Sequence, residues 1–197
     1  RSSAASDVYK RQTYITSMEE IVTDDKEIYG QLKQYLHENQ PEDENRLRLY
    51  EDAMLPLAKL YQIDKAMEEA LSTHVWLKSG GYLVIEPTEA MTVIDVNTGK
   101  YTGKKNKRDT ILKINLEAAA EISHQMRLRN LSGIILVDFI DMEEKEDQEL
   151  LMKTLAVQCA RDPVKTTVVD MTRLNLVEIT RKKIRKPLHE QVRLFGR

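Results

Sequence analysis

Residues 91–97, MTVIDVN, and residues 134–140, IILVDFI, decide the reading of this chain. Each is rich in β-branched residues and carries an aspartate near its carboxyl end. In the first, Met91, Val93 and Asp95 share one strand face, and Thr92, Ile94 and Val96 share the other. The second is continuously apolar up to Asp138, which predicts a central strand buried on both faces. Between them, Ile114, Ala118, Ile122 and Met126 recur four residues apart and predict one long helix over about 109–129. Strand, long helix, strand is the pattern of a crossover unit, so the fold class is α/β.

Working outward, residues 74–78 and 82–86 are β-rich, and Ser79-Gly80-Gly81 between them signals a hairpin. Beyond the second aspartate, a helix over 144–160 places Leu151, Leu155 and Cys159 on one side, so Cys159 reads as a core residue. A strand over 166–170 follows, then a basic helix near 174–185 ended by Pro187. Upstream, residues 17–38 read as a helix with a Ser17/Glu20 capping box. A short apolar stretch follows at 47–50, and a second helical stretch at 54–72 breaks near Gln62–Asp64. Residues 1–12 are small and polar without periodicity and read as a non-native or disordered extension.

The 197 residues carry a hydrophobic fraction of 41%, enough for a core. No apolar run is long enough for a membrane span, and no secretory signal is evident. One cysteine excludes an internal disulfide and fits a reducing cytoplasm. Four histidines lack zinc-ligand spacing. The net charge is −2 but unevenly spread. Residues 13–75 hold 14 acids against 6 bases, while residues 172–197 hold 8 bases against 2 acids. The stretch 99–108 carries Lys100, Lys104, Lys105, Lys107 and Arg108 without an acid. A phosphate backbone seeks such places, and a solvated lysine-rich loop is the plain alternative. Further candidates for backbone contact are Arg127, Arg129, Arg173 and Arg181.

A carboxylate in a buried strand is costly unless it is paired, hydrogen-bonded or metal-bound. Two of them at strand carboxyl ends point to a ligand site. Asn97, two residues past Asp95, faces the same side. Two carboxylates and an amide are hard oxygen donors of the kind magnesium takes, with positions left for water and phosphate oxygen. Such a set suits phosphodiester hydrolysis. Asp141 reads as a structural or capping carboxylate, and Glu89 as a turn residue or one that supports the site from behind its ligands.

Three motifs in order resemble the ribonuclease E/G family: GGYLVIEPTEAMTVIDVNTGKYTG (80–103), INLEAAAEISHQMRLRNLSGIILVDFIDM (114–142) and MTRLNLVEITRKKIRKPL (171–188). The resemblance is close over about 73–188 and weaker back to about residue 13. It implies part of an RNase H-like subdomain over 13–75, a deoxyribonuclease-I-like catalytic subdomain over 76–188 and a tail over 189–197. It also implies that Asp95 and Asp138 bind one catalytic magnesium ion while Asn97 supports the site. The expected activity is hydrolytic endonucleolytic cleavage of single-stranded, A/U-rich RNA, leaving a 5′-phosphate, in rRNA processing and mRNA decay in the cytoplasm. The alternative is a folded chain that binds RNA weakly without turnover. The family's oligonucleotide-binding-fold domain and 5′-monophosphate pocket are expected before residue 13, outside this sequence. Its zinc-sharing Cys-x-x-Cys is absent from these residues, so zinc is not expected here. The resemblance implies a homo-oligomer for the full-length parent. Asn175 and Ser132 stand where the family usually has glycine, and asparagine is the next best residue for a positive φ.

Overall fold

The structure, a computed structural model, describes residues 19–99 and 107–195. The chain forms two compact units, one through Ala66 and one from Met67.

In the first unit, strand β1 (Ile21–Thr23) pairs in parallel with β2 (Leu47–Leu49). Helix α1 (Lys26–Asn39) lies between them in the chain, followed by a 3₁₀ turn over Pro41–Arg46. The helix predicted over 17–38 therefore begins late. Asp25 caps it by accepting from the backbone N–H groups of Glu27 (2.8 Å) and Ile28 (3.0 Å), which satisfies two of the orphan donors of the first turn. The β-branched Ile21-Val22-Thr23 just before the cap takes the strand. Ser17 lies outside the described residues. Helices α2 (Leu57–Leu60) and α3 (Ile63–Leu71) follow, broken at Gln62 with φ +51°. That is the interruption expected from the sequence.

The second unit is built on a six-stranded mixed sheet. Its strands are β3 (His74–Trp76), β4 (Tyr82–Pro87), β5 (Met91–Asn97), β6 (Gly133–Asp138), β7 (Thr166–Met171) and β8 (Leu176–Arg181). They lie in the order β3-β4-β5-β6-β8-β7. Helix α4 (Lys107–Leu128) joins β5 to β6, and α5 (Lys145–Ala160) joins β6 to β7. Among the described residues β5 and β6 are the one parallel pair in this sheet, as a helical crossover between adjacent strands requires.

One face of the sheet is covered. Ile114, Ala118, Ile122 and Met126 of α4, with Leu151, Leu155 and Cys159 of α5, form one core with Leu83, Ile85, Ile94, Val96, Ile135, Val137, Val177 and Ile179. The predicted helical stripes are the core stripes. Burial pushes the Cys159 thiol up to about 11, as befits a core side chain. Among the described residues the other face is partly exposed: Val93 is 37% exposed and Ile134 49%. The expectation that 134–140 is buried on both faces is thus corrected. The two crossover helices cover a single face, and only Ile135 and Val137 of β6 turn toward it.

The basic helix expected near 174–185 is strand β8, and Pro187 precedes helix α6 (Leu188–Phe195) instead of ending one. Val177, Ile179 and Arg181 alternate inward with period two. An arginine at the third inward position hides the pattern in the sequence. In the fold it is 4% exposed and ion-paired to Asp162 at 2.7 Å. Burial alone would push the Asp162 carboxyl up, but hydrogen bonds from Arg181, Val164 N–H and Thr166 hold it below its ordinary range. No helix among the described residues is long and apolar enough to cross a membrane.

Candidate active site

Parallel pairing of β5 and β6 places Asp95 directly opposite Asp138. Neighbouring strands lie about 4.8 Å apart and direct partners share a face, so the two side chains stand side by side. Both belong to the open face. An antiparallel pairing of these two strands would bring together their opposite ends and separate the carboxyl ends. The crossover through α4 is therefore what makes the pair.

Asn97 is the third member. Its side-chain Nδ2 donates to Asp95 Oδ2 at 2.7 Å. The amide nitrogen faces the carboxylate, so Asn97 fixes the rotamer of Asp95. Gly81 makes room for this end of β5: a Cβ there would sit 2.7 Å from the Asn97 carbonyl oxygen.

Partial burial pushes the Asp138 carboxyl above its ordinary value, and the neighbouring Asp95 and Asp141 carboxylates push it further. No basic side chain among the described residues is ion-paired to Asp95 or Asp138. Among those residues the pair is a focus of negative charge without a counter-ion. Two adjacent carboxylates with a supporting amide fit magnesium, which binds through one or two carboxylates and leaves its other positions to water and phosphate. No cluster of three or more His, Cys, Asp or Glu suited to a metal occurs among the described residues.

Sequence reading passed over two residues that shape the site. Asn115 is fully buried on α4; its Nδ2 donates to the Ile140 carbonyl (2.7 Å) and its Oδ1 accepts from the Ile140 N–H (3.1 Å). These two hydrogen bonds hold the chain just past Asp138. The available signal was a polar residue one position from the buried Ile114 in an otherwise apolar stripe. Asn175, at φ +62°, donates from Nδ2 to Asp141 Oδ1 at 3.1 Å and ties the β7–β8 turn to the site. The positive φ expected of this asparagine is the one observed. Asp141, read as structural, is held in this contact.

The basic candidates separate by position. Lys100, Lys104 and Lys105 lie outside the described residues. Lys107 and Arg108 open α4, on the connection that leaves β5 after Asn97. Arg173 sits exposed in the turn before Leu176, the partner of Asp138. Arg108 is held bidentately by Asp147, at 2.8 and 3.0 Å. Arg127 is exposed near the far end of α4, about 30 Å along the helix from Lys107 at 1.5 Å per residue. Arg129 is 6% exposed and donates to Gln125 and to the Ser72 carbonyl. Arg181 pairs across from Gly133, at the opposite end of β6 from Asp138, and is bound to Asp162, Asn130 and the Leu131 carbonyl. Arg129 and Arg181 are buried in the fold and present no guanidinium edge to solvent, so neither is available to a phosphate of RNA.

A mixed α/β sheet with paired carboxylates at the carboxyl ends of neighbouring parallel strands defines a protein with an acidic candidate site on one sheet face. Comparison with known proteins assigns it further. The family model described as the Ribonuclease E/G family matches residues 3–184. The chain is 43% identical over 173 residues to Ribonuclease G of Haemophilus influenzae, covering 88% of this chain and 35% of that protein. It is 40% identical over 171 residues to Ribonuclease G of Escherichia coli, covering 87% and 35%. With Ribonuclease E of Nostoc sp. it shares 39% identity over 188 residues, covering 94% and 27%. The chain belongs to the ribonuclease E/G family. It spans between about a quarter and a third of the length of these relatives.

Proposed function

We propose that this chain carries the catalytic metal site of a magnesium-dependent endoribonuclease that hydrolyses single-stranded, A/U-rich RNA and leaves a 5′-phosphate. In this reading residues 76–188 are the deoxyribonuclease-I-like catalytic part, residues 13–75 belong to an RNase H-like part, and the parent protein acts in rRNA processing and mRNA decay in the cytoplasm. The observation that carries the reading is the cross-strand pairing of Asp95 with Asp138 on the solvent face.

Asp95 and Asp138 would hold the ion between them. When bound, magnesium supplies positive charge against the charge that builds on a phosphodiester as it is cut. The protein's own part is to hold both carboxylates side by side and aimed. Asn97 orients Asp95 through its amide, and Asn115 fixes the backbone beyond Asp138. Lys107 and Arg173 supply positive charge for flanking phosphates near this end of the sheet.

The test is cleavage of a 5′-monophosphorylated, A/U-rich single-stranded RNA with and without magnesium. Cleavage should need the ion, and Asp95→Asn and Asp138→Asn should each abolish it while the circular dichroism spectrum stays unchanged. Cleavage that survives either substitution, or that proceeds in excess chelator, refutes the assignment.

A further inference from the structure

We propose that Trp76, backed by Tyr82, is a stacking platform for a nucleobase of the RNA strand, on the same sheet face as the carboxylate pair. This inference rests on the endoribonuclease reading above. The strand registers carry it. Trp76 pairs with Tyr82, and Tyr82 pairs with Asn97, so the three side chains form one row across β3, β4 and β5. The next row runs His74, Val84, Asp95, Asp138 and Leu176. Direct cross-strand partners lie on one face, so the aromatic row and the carboxylate row are adjacent on the open side. At about 4.8 Å per strand, the Trp76 backbone lies roughly 10 Å across the sheet from Asn97.

The rings are arranged for use. Trp76 meets Tyr82 at a centroid distance of 5.2 Å and a tilt of 53°, and His74 flanks Tyr82 at 5.8 Å. Yet Trp76 remains 71% exposed. A tryptophan held by a neighbour but left open has a free aromatic surface, and every base has a π-face to lay on it. The platform is also stiff. Glu117 on α4 accepts from the N–H groups of Lys78 (2.6 Å) and Ser79 (3.1 Å), which pins the hairpin that follows Trp76. A surface already in place loses little ordering entropy on binding.

Charge gives the strand its direction. On the other side of the carboxylate row, the next row of this face begins with Glu86 and ends with Glu178. Polyanionic RNA is repelled from that side. The aromatic row bears no acid, so a strand whose phosphate reaches Asp95 and Asp138 continues over Trp76.

Trp76 is the only tryptophan in the sequence, so its emission reports this position alone. The experiment titrates the protein, in chelator, with a short 5′-phosphorylated A/U-rich RNA while binding is followed separately by anisotropy of a labelled copy. Emission should be quenched in step with binding, and an abasic ribose-phosphate oligonucleotide of equal length should bind without quenching. Trp76→Ala should weaken RNA binding by roughly five- to a hundredfold, the range expected for one stacked base. Trp76→Phe should recover most of that loss. With magnesium, the Trp76→Ala defect should appear in KM and leave kcat largely intact.

RNA that binds without changing the emission, or a Trp76→Ala protein that binds like the parent, overturns the platform and leaves the cleavage reading standing. An emission shift that depends on protein concentration without RNA assigns the ring to a contact with a second copy and also overturns it. Quenching without any magnesium-dependent cleavage supports the platform while refuting the endonuclease reading.

Discussion

Two acidic positions in the same unit are treated in opposite ways. Asp162 is ion-paired to a buried arginine and accepts further hydrogen bonds from Val164 N–H and Thr166. Asp138 is exposed at the sheet surface yet partly desolvated beside another carboxylate, with no ion-paired base among the described residues. The first carboxyl is held below its ordinary range and the second is pushed above it. The fold neutralises charge where it needs cohesion. Where it leaves like charges adjacent, it tolerates an electrostatic cost, which under the proposed function a bound cation would relieve. A structural acid and a site acid are thus distinguished by their partners, since both lie in or beside apolar strands.

The sharpest way to break this contrast is to remove charge from the open face. Asp95→Asn or Asp138→Asn should lower the cleavage rate by at least about a thousandfold, roughly 4 kcal/mol of transition-state stabilisation. Single-turnover cleavage assays check it. Removing one partner of the closed pair should act on stability instead. Arg181→Met, which strands a buried carboxylate, should cost about 3–5 kcal/mol in urea unfolding. Asn115→Ala should cost less, roughly 1–3 kcal/mol, because it orphans backbone groups at Ile140 without stranding a charge. It should also lower cleavage at temperatures where the protein is still folded, because the chain beyond Asp138 loses its anchor.

The smallest effect is the most discriminating, because it has opposite signs at the two positions. For Asp162 the folded carboxyl lies below its unfolded value, so its stabilisation is present above about pH 4 and is lost as pH falls through the folded value. Asp162→Asn should therefore flatten the acid limb of Tm against pH. For Asp138 the folded carboxyl lies above its unfolded value, so its contribution is full below about pH 4 and is lost as pH rises through the folded value. Without metal, Asp138→Asn should melt slightly above the parent at neutral pH, and the difference should vanish in acid. Equal shifts at the two positions would show that the open pair is not electrostatically strained.

Much of this was legible in the chain. The four-residue spacing from Ile114 to Met126, the Ser79-Gly80-Gly81 turn and the face shared by Asp95 and Asn97 are local properties, set by helical and strand periodicity. They fixed the crossover unit and named the carboxylates. The failures were positions where a tertiary partner overrides local pattern. Arg181 interrupts an inward apolar series because Asp162 awaits it, and so β8 read as a helix. Asp25 starts α1 after a short strand that only its pairing with β2 reveals.

What the sequence determined by itself was which residues are candidates for the chemistry and which apolar stripes build the core. What only the tertiary structure decided was their company. Strand register set Asp95 against Asp138 and lined up Trp76, Tyr82 and Asn97, while burial and hydrogen bonding withdrew Arg129 and Arg181 from the surface. Periodicity tells a side chain which face of its own element it occupies. It does not tell which residue stands opposite on the next strand, because that depends on contacts made tens of residues away.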